Sequence, residues 1–143
     1  MEIPLKRFDK EIPLPARQTE GAAAFDFAAR AAVTIAPGTV GYIPLNVAVA
    51  TPPGHFLLLA ARSGTHKRGL MMANGIGIVD PDFSGDTDEI NAAYYNFSSA
   101  PVTVEKGERI AQGMFVPIAS FVWKETEVMP HADRGGFGTT GRI

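Results

Sequence analysis

The chain has 143 residues and a net charge of −2, with 45% hydrophobic and 20% charged residues. That length suits one domain with a real core, and the composition is globular rather than disordered. Near-neutral charge argues against broad nucleic-acid binding, and the lack of cysteine excludes disulfides, thiolate zinc sites and thiol nucleophiles.

In chain order, "MEIPLKRFDKEIPLP" contains no long apolar run, so neither a signal peptide nor a membrane span is predicted. A single domain in the cytoplasm is expected. In "GAAAFDFAARAA" the alanines suggest a helix, but Phe-Asp-Phe and the following Val-Thr-Ile favour extended chain. "AAVTIAP", "GYIPLNVAVATPP" and "HFLLLAAR" read as strands cut by proline and glycine. "SGTHKRGLMMAN" is the single helical candidate, of about two turns. "GIGIVDPDF", "EINAAYYNFS" and "APVTVEKGERIAQGMFVPIASFVW" return to strands, with a hairpin expected at Glu105-Lys106-Gly107-Glu108. The closing "DRGGFGTTGRI" can build neither helix nor core, because its glycines lose most freedom on ordering. The expected fold is all-β, a jelly-roll-like distorted barrel over residues 1–130, with at most one short helix. Residues 131–143 form a flexible C-terminal arm.

Five short stretches carry residues suited to chemistry. Asp26 alternates with Phe25 and Phe27, and its plain reading is a solvent-facing aspartate on a strand. In "AARSGTHKRG", Arg62, the Ser63 hydroxyl and the Ser63 and Gly64 amides converge on an anion, or Ser63 simply caps a helix. In "NGIGIVDPDFSGD", Asn74 offers both donor and acceptor to a base edge, and Gly75 and Gly77 permit close backbone approach. Asp80 there stands near the Phe83 ring and can serve as general base to a water. The plain alternative is a hairpin whose aspartates make turns. Gln112 is polar among apolar neighbours and needs a hydrogen-bond partner from protein or ligand. The tail supplies Arg134 for phosphate and Phe137 as a stacking ring. The three histidines lack metal spacing, and neither GxSxG nor GxxxxGK[ST] occurs.

The order and spacing of these five stretches resemble the homotrimeric dUTP pyrophosphatase (dUTPase) family, over almost the whole length. "AAAFDFAA", "ARSGTHKRG", "NGIGIVDPDFSGD", "GERIAQGMF" and "DRGGFGTTG" match its first to fifth motifs in sequence. The resemblance implies a trimer with three sites at subunit interfaces, hydrolysing dUTP to dUMP and pyrophosphate with Mg²⁺. It implies that Asp80 activates the attacking water and holds the sugar 3′-hydroxyl. Asn74, Gly77 and neighbouring backbone read uracil, with no room for a thymine methyl, and Phe83 packs on deoxyribose. Arg62, Ser63, Gly64 and Gln112 hold phosphates, and Asp26 touches Mg²⁺ through water. Arg134 takes the terminal phosphate, Phe137 caps uracil, and Gly138 and Thr139 grip phosphates, the arm reaching over another subunit's site. The hydrolysis would keep uracil out of DNA and supply dUMP for dTTP synthesis.

The chain departs from the family at several places. Ala61 and Ala24 replace a proline and a glycine, Phe83 stands where tyrosine is common, and the fifth motif is short. Asp86, Asp88 and Glu89 are extra acids, read as a solvated loop, with a second metal as the minor alternative. Two rival functions remain: a dCTP deaminase-like enzyme, for which Glu89 is the nearest available proton carrier, and a non-catalytic nucleotide-binding regulatory module.

Overall fold

The computed structural model describes residues 1–141. The expected arm therefore reaches two residues, 142 and 143, that lie outside the described residues. Eleven strands follow in order: β1 (Leu5–Arg7), β2 (Phe25–Ala28), β3 (Val33–Ile35), β4 (Val40–Pro44), β5 (Val47–Val49), β6 (His55–Ala61), β7 (Leu70–Met72), β8 (Gly77–Val79), β9 (Asn91–Asn96), β10 (Val102–Val104) and β11 (Arg109–Pro117). They pair antiparallel as β1–β5, β3–β10, β2–β11–β6–β8 and β4–β9–β7. This is the all-β, jelly-roll-like architecture expected.

Period-2 alternation decides which side of each strand is apolar. In β6, Leu57 and Leu59 point inward while Leu58 and Ala60 do not. Phe27, Ile43, Leu45, Leu70, Tyr94 and Val104 join them in a single core. Tyr94 spends its hydroxyl on the Ile110 carbonyl at 2.6 Å, and burial pushes its phenol ionisation up.

One inward position of β9 is polar. Asn96 is fully buried, yet its Nδ2 donates to the Ile35 and Ala100 carbonyls, both at 2.8 Å. Its Oδ1 accepts from Ser98 N and Ser98 Oγ. Those four bonds offset the desolvation of the amide.

Three expectations need correction. The expected helix is a single 3₁₀ turn, Thr65–Arg68, stopped by left-handed Gly69 at φ 78°. Leu70–Met72 then leaves as strand β7, because pairing with β9 buries Leu70 and Met72. Glu105–Glu108 does form a turn, with Glu108 N donating to Glu105 O and Gly107 at φ 81°, but not a hairpin. Strand β10 pairs with β3, and β11 with β2 and β6, so the turn joins two sheets. Likewise the Asn74 turn joins β7 to β8 without pairing them, since β7 lies on β9 and β8 on β6.

After Pro117 no strand follows among the described residues. Ile118 N bonds the Gly54 carbonyl, and beyond it Phe121, Val122 and Trp123 are 64–90% exposed. The expected boundary at residue 130 falls inside this strand-free stretch.

Removing the Asn96 amide takes a donor from the buried Ile35 carbonyl and an acceptor from Ser98, whereas the exposed Ala100 carbonyl keeps its bond from Ser98 Oγ; each unsatisfied buried group costs about 1–3 kcal/mol. Asn96→Ala should lower the thermal midpoint by several degrees in a calorimetric scan, while the exposed Asn91→Ala, on the same strand, should leave it within about one degree.

Candidate active site

Strand β11 brings three of the expected residues together. Gln112 pairs directly with Asp26 on β2 and with Ala60 on β6. Cross-strand neighbours share a face, so Asp26 and Gln112 look out on the same side. Arg62 follows the last residue of β6 and folds back over them. Asp26, Arg62, Ser63 and Gln112 line one cleft of about 460 Å³, with Gln18 and Met114 at its margin.

Asp26 is not the solvent-facing aspartate of the plain reading. Its side chain is 10% exposed and lies between two arginines. Arg62 Nε donates to Oδ1 at 3.2 Å, and Arg109 Nη1 donates to Oδ2 at 3.3 Å. Arg62 also donates through Nη1 to the Arg109 carbonyl at 3.2 Å. Gln112 satisfies its Nε2 on the Ala61 carbonyl at 2.9 Å, fixing its amide in the cleft. Ser63 and Gly64 are exposed at the entry to the 3₁₀ turn, and their amides meet no acceptor among the described residues. The cleft thus offers a guanidinium, an amide and free N–H groups, the donor set for phosphate oxygens.

Asp80 and Phe83 form a second cleft of about 330 Å³ with Ile78, Val79, Glu89, Ile90 and Asn91. Pro81 stiffens a turn in which Phe83 N donates to Asp80 O at 3.1 Å, so carboxylate and ring are held side by side. Asp80 is exposed and Phe83 about two-fifths exposed. Asn74 is exposed in the turn closed by Gly75 N to Met72 O, with Gly75 at φ 74°. Gly77 is buried, and a Cβ there would stand 3.0 Å from Leu59 Cβ. Its lack of a side chain therefore serves packing on β6 in this chain.

The extra acids are not one solvated loop. Glu89 is 12% exposed, takes Arg30 Nε and Nη2 at 2.7 and 2.9 Å, and accepts the Asn46 amide at 2.9 Å. Its carboxylate raises the Arg30 guanidinium above its ordinary value. Asp88 accepts the Gly85 amide at 2.7 Å, and Asp86 meets Lys6 at the surface. No cluster of metal-ligating side chains occurs among the described residues.

In the arm, Arg134 and Phe137 are exposed, and Phe137 sits at φ 50°, uncommon outside glycine. Thr139 Oγ1 accepts the Gly136 amide at 2.7 Å, and Thr139 N closes onto the Gly136 carbonyl. Gly138 carries φ 86°. The fifth-motif residues make a compact turn on their own and line neither cleft.

The two clefts share no residue. Strand β6 measures their separation, since Val79 is level with Leu57 whereas Arg62 lies beyond Ala61. Asp80, one residue past Val79, is roughly 20 Å from Arg62 at about 3.3 Å per strand residue.

Arg109 is the residue that sequence reading missed. From Gly113 back to Ala111 the pairing with β2 is regular, then it slips by one, so that Arg109 rather than Ile110 faces Ala28. The bulge explains why Ile110 and Ala111 are buried in succession, and it turns Arg109 onto the Asp26 face.

The fold defines the class first: a jelly-roll-like chain with one cleft lined by an arginine and an amide and a separate carboxylate–aromatic cleft. The family model described as dUTPase matches residues 10–141. A deoxyuridine 5′-triphosphate nucleotidohydrolase of Dictyoglomus turgidum is 35% identical, covering 99% of both chains. One of Shewanella oneidensis is 38% identical over 94% of this chain and 91% of its own. The dUTPase of Streptococcus mutans superposes with TM-score 0.75 at 28% identity, covering 83% of this chain and 98% of that one. A Staphylococcus bacteriophage 80alpha dUTPase mutant with dUpNHpp reaches TM-score 0.86 at 23% identity over 98% of each, a likeness of fold. This chain belongs to the dUTPase family.

Gly113, beside Gln112, tests how tightly the cleft floor is packed. A Cβ there would lie 2.7 Å from Phe27 Cε2 and 3.1 Å from Leu57 Cδ1. Gly113→Ala should destabilise by about 1–3 kcal/mol through overpacking, read as a lower urea midpoint with unchanged slope.

Proposed function

We propose that this chain hydrolyses dUTP to dUMP and pyrophosphate at sites shared between copies in a homotrimer. The carrying observation concerns the described residues: one cleft holds phosphate donors and a carboxylate, Asp26, already tied to two arginines, while the other holds a carboxylate beside a ring with no cation on its wall. A base must stand within one water of the phosphorus it serves. At roughly 20 Å apart along β6, Arg62 and Asp80 of one chain cannot flank one α-phosphorus, whereas residues of two copies can.

In this reading, Arg62, Ser63, Gly64 and Gln112 bind phosphate oxygens, and Asp80 orients a water and takes its proton. The water oxygen bonds to the α-phosphorus as the bridging α–β oxygen bond breaks, and pyrophosphate leaves. Asn74 and backbone around Gly77 read uracil's donor–acceptor pattern; cytosine would leave buried groups unpaired. Phe83 packs on the deoxyribose and crowds a ribose 2′-hydroxyl. The arm of a further copy brings Arg134 to the terminal phosphate and Phe137 onto uracil, while Gly138 and Thr139 exchange local bonds for phosphate. The donor chemistry suits Mg²⁺ carried by phosphate oxygens: among the described residues Asp26 is the only carboxylate on that cleft, and it would reach the ion through water. Bound there, the ion would neutralise charge on the triphosphate. Keeping uracil from DNA and supplying dUMP are the roles such an activity serves.

The dCTP deaminase alternative needs a free glutamate to shuttle protons at the base. Glu89 is instead committed to Arg30 and the Asn46 amide, which speaks against it.

Pyrophosphate release with Mg²⁺ from dUTP, dTTP, dCTP and UTP, with ammonia followed from dCTP, tests the proposal. Pyrophosphate should come from dUTP alone; ammonia from dCTP, or silence throughout, would overturn it. Asp80→Asn should cut turnover by about 10²–10⁴-fold while dUpNHpp still binds. Deleting residues 134–143 should cripple hydrolysis with the thermal midpoint unchanged, and normal turnover by the truncated chain would refute the arm's role.

A further inference from the structure

We propose that Arg109 is a positioning residue for the polyphosphate: it keeps Asp26 paired, so that Arg62 is free to turn from Asp26 onto phosphate. The inference rests on the nucleotide reading above and deepens it.

Strict alternation along β11 would send Arg109 to the face opposite Gln112. The bulge cancels that, because the slip at Ile110 sets Arg109 opposite Ala28, on the face that carries Asp26. A guanidinium has thus been delivered to a carboxylate that already has one. Arg62 Nε holds Oδ1 and Arg109 Nη1 holds Oδ2, so neither cation is redundant in geometry.

The charges explain what a second cation does. One carboxylate between two guanidiniums leaves a single net positive charge, a cluster that attracts an anion; with one guanidinium the pair is neutral. Asp26 is nine-tenths shielded from water, and a carboxylate there is costly without a partner. Were Arg62 its sole partner, binding phosphate would mean stripping Asp26 beside an incoming polyanion. With Arg109 in place, one oxygen stays paired while Arg62 is released. Arg109 acts through Asp26 and does not itself touch the substrate.

A double-mutant cycle separates these roles. Binding of dUpNHpp and of dUMP is measured by calorimetry on the assembled protein, with Mg²⁺ fixed, for wild type, Arg109→Gln, Arg109→Lys, Asp26→Asn and the Asp26→Asn/Arg109→Gln pair. Arg109→Gln should weaken dUpNHpp at least about tenfold, or 1.4 kcal/mol. dUMP, lacking the β- and γ-phosphates, should change less than about twofold, and Arg109→Lys should restore part of the loss as a point charge. In the Asp26→Asn background, where Arg62 is already free, Arg109→Gln should add less than about twofold.

An unchanged dUpNHpp affinity in Arg109→Gln would overturn the proposal. So would equal weakening of dUpNHpp and dUMP, which marks general disruption, or a full loss persisting in Asp26→Asn, which marks direct phosphate contact. If wild type failed to bind dUpNHpp while remaining folded, the nucleotide reading itself would fall and this proposal with it.

Discussion

Strand β11 carries two ladders at once, to β2 on one edge and to β6 on the other. The rest of the molecule hangs on that double pairing. Its register with β6 runs unbroken from Ala111↔Ala61 to Pro117↔His55, which fixes where β6 ends and hence where Arg62 emerges. Its register with β2 sets Gln112 against Asp26. The Ile110 carbonyl at its start takes the Tyr94 hydroxyl, tying the same strand to the core of the opposite sheet. Few substitutions inside β11 can therefore be local in effect.

A different network governs the far cleft. Asn46, left-handed at φ 70°, exchanges two side-chain bonds with the backbone of Asp9 and gives its own amide to Glu89. Glu89 is clamped by Arg30. Asp9 in turn holds Lys106, whose ammonium lies 2.7 Å away and keeps the Asp9 carboxyl below its ordinary range. The loop bearing Asp80 and Phe83 thus returns to the sheet through a polar joint rather than an apolar one. Such a joint fixes geometry better than it adds stability, because each charge must first be taken from water. The two clefts are held by separate devices, one a cross-strand register and one an ion-paired loop base.

Much of this was legible in the sequence. Proline and glycine punctuation marked most strands, since both residues interrupt ladders for local reasons. The motif residues announced their chemistry through residue type alone. What stayed hidden was non-local. The three-residue β1 and β7 are too short to show a period, and β7 was masked by the helical look of "HKRGLMMAN". The Glu105–Glu108 turn reads as a hairpin because a turn sequence says where the chain bends, not which strand it then meets. Arg109 was invisible for a sharper reason: a bulge shifts parity by one, and nothing in "GERIAQG" distinguishes a bulged strand from a regular one. Glu89 reads in sequence as one more solvated acid because its partner, Arg30, lies 59 residues away along the chain.

Trp123 is the sole tryptophan of the chain, 90% exposed, with its ring edge against Phe121 on the stretch that leads to the arm. Core and clefts contain no other indole. The intrinsic fluorescence excited at the red edge consequently belongs to this one connector and to no part of the barrel. A blue shift on raising protein concentration would report assembly over the connector, and a further change on adding nucleotide would report arm movement. The protein carries its own optical label, placed where the proposed assembly and the proposed ligand would both disturb it.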